Sequence, residues 1–202
     1  MPLEFIQDYL TKLDATIRAL PHEQIAGIIE AVRDARDRDA QVFVVGNGGS
    51  ASTASHVAVD LGKGASNGAD RRFRVHSLTD NVPWISALAN DFCYEDIFVE
   101  QLKNFARPGD LLLAFSGSGN SENVLRAVRY ANSIGCRTIG FAGFGGGKLR
   151  TEAQDCLVVD ADHMGRVEDA HHIAQHLVVY YLMTHPYGRT TPADATPATA
   201  SR

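Results

Sequence analysis

Gln41-Val42-Phe43-Val44-Val45-Gly46-Asn47-Gly48-Gly49-Ser50-Ala51 is a short apolar run that breaks into a glycine-rich turn and then into a helical pattern. The same grammar returns at Leu111-Leu112-Leu113-Ala114-Phe115-Ser116-Gly117-Ser118-Gly119-Asn120-Ser121. Apolar runs bounded by glycine and serine suit strands covered on both faces of a parallel sheet. Three further runs fit: Arg74 to Leu78, Thr138 to Ala142 and Cys156 to Val159. Helical patterns lie between them, at Ser50 to Leu61, Val82 to Ala89, Tyr94 to Phe105 and Ser121 to Ser133, with a last one from about Val167 to His185. This alternation predicts a three-layer αβα sandwich, Rossmann-like, around a five-stranded parallel sheet.

Upstream, Phe5, Ile6, Tyr9, Leu10, Leu13, Ile17 and Leu20 recur at three- and four-residue steps, the stripe of an amphipathic helix. Pro21 opens a second helix bearing Ile25, Ile28, Ile29 and Val32. Residues 1–40 thus form a helical hairpin that either covers the core or makes an oligomer interface. Residues 41–188 form the α/β domain. Residues 189–202, rich in Ala, Thr and Pro, are expected to be a disordered tail.

With 202 residues and a net charge of -5, the chain is long enough for a full core and too acidic for a general nucleic-acid binder. Three cysteines without C-x-x-C spacing point to a reducing compartment and exclude a thiolate zinc site. The N-terminus lacks the basic-then-apolar order of a leader, and no stretch reaches the roughly 18 apolar residues of a membrane span. A cytoplasmic protein with no membrane partner is the expectation. Trp84 and Phe92 read as core, and Tyr94, Phe98 and Phe105 as a helix stripe.

Both glycine/serine turns fall at carboxyl ends of strands, where open α/β sheets bind ligands. A helix N-terminus offers free N–H groups and a positive dipole end to an anion, and serine hydroxyls add donors. Ser50 and Ser121 also suit plain helix caps, but three serines in six residues exceed what one cap needs. Gly46-x-Gly48-x-x-Ala51 only partly matches a dinucleotide fingerprint, and its nearest acidic partner, Asp80, lies beyond the next strand. Gly143 to Lys148 departs from a Walker loop, with Ala142 at the first glycine position and Leu149 after the lysine. A small sugar phosphate therefore fits better than NAD or ATP.

His56 and Asp60 stand four apart on one helix, and Glu168, His172 and His176 follow at i+4 steps on the last. Two functional readings are open. Asp60 as base and His176 as acid would serve proton transfer. Alternatively, His56, Asp60, Glu168 and His176 would hold a divalent metal such as zinc. Histidines paired with i+4 carboxylates on a solvated face are the plain alternative. Glu168 and His176 diverge by roughly 80° around the helix, and His172, between them, is another candidate partner.

Gly46-Asn47-Gly48-Gly49-Ser50-Ala51, His56, Asn90-Asp91, Ser116-x-Ser118-Gly119-Asn120-Ser121, Gly146-Gly147-Lys148 and His176 together resemble the sugar isomerase (SIS) domain family, and within it the bacterial phosphoheptose isomerase group. The resemblance implies a homotetramer with active sites between subunits, and an aldose–ketose isomerase. The implied reaction interconverts sedoheptulose 7-phosphate and D-glycero-manno-heptose 7-phosphate through a cis-enediol, at the entry to ADP-heptose and lipopolysaccharide. By the same resemblance Asn47, Gly48, Gly49, Ser50, Asn90, Asp91, Ser116, Gly117, Ser118 and Ser121, with Asp60 and Glu168, bind substrate. Asp60 and His176 are catalytic, and His56, Asp60, Glu168 and His176 bind zinc. Two positions depart from the family: Asp60 stands where Glu is the rule, and Glu168 where Gln is. A carboxylate retracted by one methylene can cost a rate factor of about 10² unless the backbone compensates. Other SIS proteins sense phosphosugars or bind partners without catalysis, and a different long-chain sugar phosphate is a further alternative substrate.

Overall fold

The computed structural model describes residues 1–186, so the expected tail lies outside the described residues. Five parallel strands form one sheet: β1 (Gln41–Val45), β2 (Arg74–Ser77), β3 (Leu111–Ser116), β4 (Arg137–Gly143) and β5 (Asp155–Val159), in the order β2-β1-β3-β4-β5. Residue pairs such as Val44 with Ser77, Val44 with Leu113 and Phe141 with Leu157 set the register.

Alternation along each strand feeds two cores. Val42, Val44, Leu111, Leu113, Phe115, Ile139 and Phe141 face one layer of helices: α1 (Pro2–Arg18), α2 (His22–Asp37), α3 (Gly49–Val59) and α8 (Met164–Thr184). Phe43, Val45, Leu112, Ala114 and Ala142 face the other: α4 (Val82–Asp91), α5 (Val99–Phe105), α6 (Glu122–Ser133) and α7 (Leu149–Glu152). The helix after β1 therefore crosses to one face and the helix after β3 to the other. The carboxyl ends of β1 and β3 border a topological switch point, where the two turns splay apart into a crevice.

Several elements differ from the sequence reading. The first site helix ends at Val59 and continues as a π-helical turn, Asp60–Gly64, closed by Ala65 N–H donating to Asp60 O (2.8 Å). Tyr94 to Phe105 is a 3₁₀ turn, Tyr94–Asp96, followed by the shorter α5. The short α7 had no periodic signal, because four residues make barely one turn. Phe92 is not core: it is 68% exposed, since the chain turns outward after Asp91. In the hairpin, α2 buries Ile25, Ile28, Ala31 and Val32, whereas Leu3, Phe5, Ile6 and Leu10 of α1 face outward. Only the end of α1, Ile17 and the following Leu20, reaches the core. Tyr9 Oη donates to Asp169 Oδ2 (2.7 Å) and ties α1 to α8; that bond is the largest cause of the raised Tyr9 pKa.

Candidate functional site

The turn after β1 is built by glycine where the backbone has no room. A β-carbon on Gly46 would stand 2.5 Å from Ser50 O, and Gly48 holds φ +55°. Ser50 is buried in the first turn of α3. Asn47 and Asn123 exchange side-chain amides, each Nδ2 donating to the other's Oδ1 at 2.9 Å. Asn123 sits in the first turn of α6, so this pair clasps the two turns across the switch point. Tyr94 Oη also donates to Asn47 Oδ1 (3.0 Å) and brings the segment after α4 to the crevice rim.

In the serine turn, Ser116 Oγ donates to Ser121 Oγ (3.2 Å), Ser118 Oγ accepts from Asn120 N–H (3.2 Å), and Ser118 is exposed. Gly117 lies beneath the start of α8, where a β-carbon would meet Met164 Sδ at 2.5 Å. Asn120 Oδ1 accepts from Lys148 N–H (3.1 Å), and Leu149 N–H donates to Gly119 O (2.9 Å), so the Gly146-Gly147-Lys148 turn braces the serine turn. Asn90 and Asp91 close α4 at the exposed surface, joined by an Asn90 Nδ2 to Asp91 Oδ1 bond (2.8 Å).

The imidazole–carboxylate cluster forms where α3 and α8 pack together. Asp60 Oδ2 is 3.1 Å from His56 Nε2 and 3.7 Å from His176 Nε2, and the two Nε2 atoms are 3.2 Å apart. His172 joins them, its ring edge-on to His56 and His176 with centroids at 4.5 and 4.7 Å. Ligand atoms of His56, His172 and His176 lie within 4.8 Å of one another, a group able to hold a metal ion. Burial first, and then the neighbouring imidazoles, lower the His172 pKa, favouring its neutral form. Glu168 lies beside the first turn of α3, where a β-carbon on Gly49 would meet its Oε1 at 2.5 Å.

His171 belongs to the core. It is buried, with Nε2 3.1 Å from Ala142 O, and burial pushes its pKa down to about 4. Sequence reasoning missed Asn123, because an amide at a helix start reads as a cap until its distant partner is known, and it took Tyr94 for a helix-stripe residue, whereas its hydroxyl reaches Asn47.

This arrangement defines a doubly wound α/β domain with a glycine- and serine-lined crevice at its switch point and an imidazole–carboxylate cluster on its flanking helices. The SIS domain model matches residues 4–143, and the chain belongs to the SIS domain family. It is 34% identical to the phosphoheptose isomerase of Geotalea daltonii, over 82% of this chain and 85% of that one. It is 33% identical to that of Akkermansia muciniphila, over 92% and 98%. Among solved structures it resembles a phosphoheptose isomerase from Francisella tularensis, with TM-score 0.84, 27% identity, and 91% and 99% coverage. The phosphoheptose isomerase GmhA from Neisseria gonorrhoeae shares the fold, with TM-score 0.83 at 24% identity over 90% of this chain and 98% of that one. Among the described residues no helix is long and apolar enough to cross a membrane.

Proposed function

We propose that the chain is an aldose–ketose isomerase that converts sedoheptulose 7-phosphate to D-glycero-manno-heptose 7-phosphate. The observation that carries this reading is the convergence of Asp60 and His176, 3.7 Å apart, in a chain whose relatives are named phosphoheptose isomerases. The serine turn and the first turn of α6 hold the phosphate. Asp60 takes the proton from the carbon beside the carbonyl. His176 gives a proton to the carbonyl oxygen, producing a cis-enediol. Return of the first proton to the neighbouring carbon, with loss of one from the other hydroxyl, completes the exchange. Asn47, Gly48, Gly49, Asn90, Asp91 and Glu168 line the sugar's path.

The cluster also suits zinc, which accepts imidazole and carboxylate donors. His56, Asp60 and His176 would hold it, and when bound it would polarise the carbonyl in place of a proton from His176.

The site lies between copies of the chain in this reading. Asp60 stands at the far end of α3 from the glycine turn, about 16 Å along the axis from Gly49. In this reading one copy's serine turn works with another copy's Asp60 and His176. Exposed apolar side chains on α1 (Phe5, Ile6, Leu10) and on α8 (Leu177, Tyr180, Met183) supply the contact surface of a homotetramer. Cys93, Cys136 and Cys156 are free.

The test is to incubate the full chain with sedoheptulose 7-phosphate and follow aldose formation. Turnover supports the assignment. Thermal stabilisation by phosphosugars without turnover of any would replace it with a sensor.

A further inference from the structure

We infer that Phe144 is a substrate-positioning residue: with Met164 it forms an apolar wall beside the serine turn, against which the carbon chain of a sugar phosphate packs. The inference rests on the proposed function for the kind of ligand, and the closing experiment separates the two.

Backbone conformation carries the inference. Phe144 holds φ +55°, in the left-handed region. Among the described residues Asp39 is the only other non-glycine with positive φ, and a short polar side chain tolerates that region. For a bulky side chain it is a costly outlier. Glycine would sit there without strain, and Gly143, Gly145, Gly146 and Gly147 surround the position. In that run the chain keeps one phenyl ring. Core packing does not offset the strain, because Phe144 is 40% exposed and belongs to neither core. Strained backbone of this kind clusters where a ligand is held.

Position indicates the ligand. Phe144 directly follows β4 at its carboxyl end. Gly143 N–H donates to Gly117 O (2.9 Å), and Gly146 N–H donates to Gly143 O (2.8 Å). A tight turn therefore holds Phe144 one residue from a bond to the serine turn. The glycines after it pack on the same turn: a β-carbon on Gly147 would stand 2.6 Å from Ser118 O. Met164, 43% exposed, lies against Gly117, its Sδ 2.5 Å from the place of a β-carbon.

A bare anion needs none of this apolar surface. Amides and hydroxyls serve a phosphate. A phenyl ring and a thioether beside them serve the C–H faces of the carbons that follow it.

The test compares full-length wild type with Phe144→Gly, which relaxes the backbone and removes the ring, and with Phe144→Tyr, which keeps a ring. Phe144→Gly should unfold near or above the wild-type Tm. Its KM for sedoheptulose 7-phosphate should rise about 10-fold while kcat changes less than about twofold, the pattern of a contact made equally in ground and transition states. Inorganic phosphate, as a competitive inhibitor, should bind both alike, since it has no carbon chain. Phe144→Tyr should keep the wild-type KM. An unchanged KM in Phe144→Gly would overturn the assignment. So would equal weakening of phosphate and sugar phosphate, which would mean that the turn itself had moved. A Tm lowered by more than about 5 °C would make the ring a structural one, and a smaller sedimentation coefficient would seat it on another copy; either overturns the assignment. If the wild type turns nothing over, calorimetric titration with the same two ligands takes the place of KM. Ring-dependent affinity for the sugar phosphate alone would then overturn only the isomerase reading. Affinity independent of the ring, or none in the wild type, would overturn this assignment.

Discussion

Asp60 and His176 meet across the seam of α3 and α8, with Oδ2 and Nε2 3.7 Å apart. They are 116 positions apart in the chain, counted from 60 to 176. Asp60 opens the π-helical turn at the end of α3, a local departure from the α-helical repeat that recurs at functional sites. The pair is a quarter to two-fifths exposed (24% and 37%), open to a ligand or to another copy of the chain.

Removing the carboxylate charge while keeping its shape should stop proton abstraction. Asp60→Asn is expected to lower kcat on sedoheptulose 7-phosphate by about 10²–10⁴-fold. Folding should survive, as judged by an unchanged circular dichroism spectrum. Near-wild-type turnover in this variant would remove Asp60 from the mechanism.

The Asn47–Asn123 clasp should matter for both stability and binding. Asn123 is 2% exposed, and Asn123→Ala leaves Asn47 without the reciprocal amide. The expected cost is about 1–3 kcal/mol, the penalty for an unpaired buried polar group. Chemical denaturation measures that cost, and a raised KM would report loosening of the two turns.

Gly119 has φ +66°, and a β-carbon there would stand 2.0 Å from Gly146 O. Gly119→Ala must therefore push the serine turn off the Gly146–Gly147 turn that braces it. Weaker substrate binding, seen as a higher KM, is the expected outcome, together with a lower Tm. A variant matching wild type in both would show that the turn yields freely.

Burial raises the Cys136 and Cys156 thiols to about 11. The thiolate is the reactive form, and its fraction at pH 8 falls about 100-fold for a pKa raised from 9 to 11. Alkylation of these two cysteines at pH 8 should be correspondingly slow in the native protein. It should rise steeply toward pH 11 or on unfolding. Peptide mapping after timed iodoacetamide exposure reads each site.

The exposed apolar face of α1 is expected to be covered by another copy. Phe5 is 67% and Leu10 57% exposed. Phe5→Asp combined with Leu10→Asp should shift sedimentation from the assembled species to smaller ones and reduce turnover with it. An unchanged sedimentation coefficient would place the interface elsewhere.

Much of this molecule is local in origin. Val42 to Val45 and Leu111 to Phe115 declare strands because every residue is apolar, and an isolated chain carries that signal. The glycines at 46, 48 and 119 mark turns for the same reason: only their lack of a β-carbon permits the backbone there. The i+4 spacing of His56 with Asp60, and of His172 with His176, fixes which side chains share a helix face. Where local signal was weak, the reading slipped. Phe92 is aromatic yet exposed, and α7 is too short to carry a period.

The sequence by itself determined the alternation of strand and helix, the two glycine- and serine-rich turns and the side-chain chemistry on offer, because these depend on neighbours within a few residues. Tertiary structure decided who meets whom. It clasped Asn47 to Asn123, brought His56 to His172 and His176, and sent Glu168 to Gly49. Those meetings follow from how α3 and α8 pack over one face of the sheet, and no spacing along a single helix specifies the rotation of one helix against another.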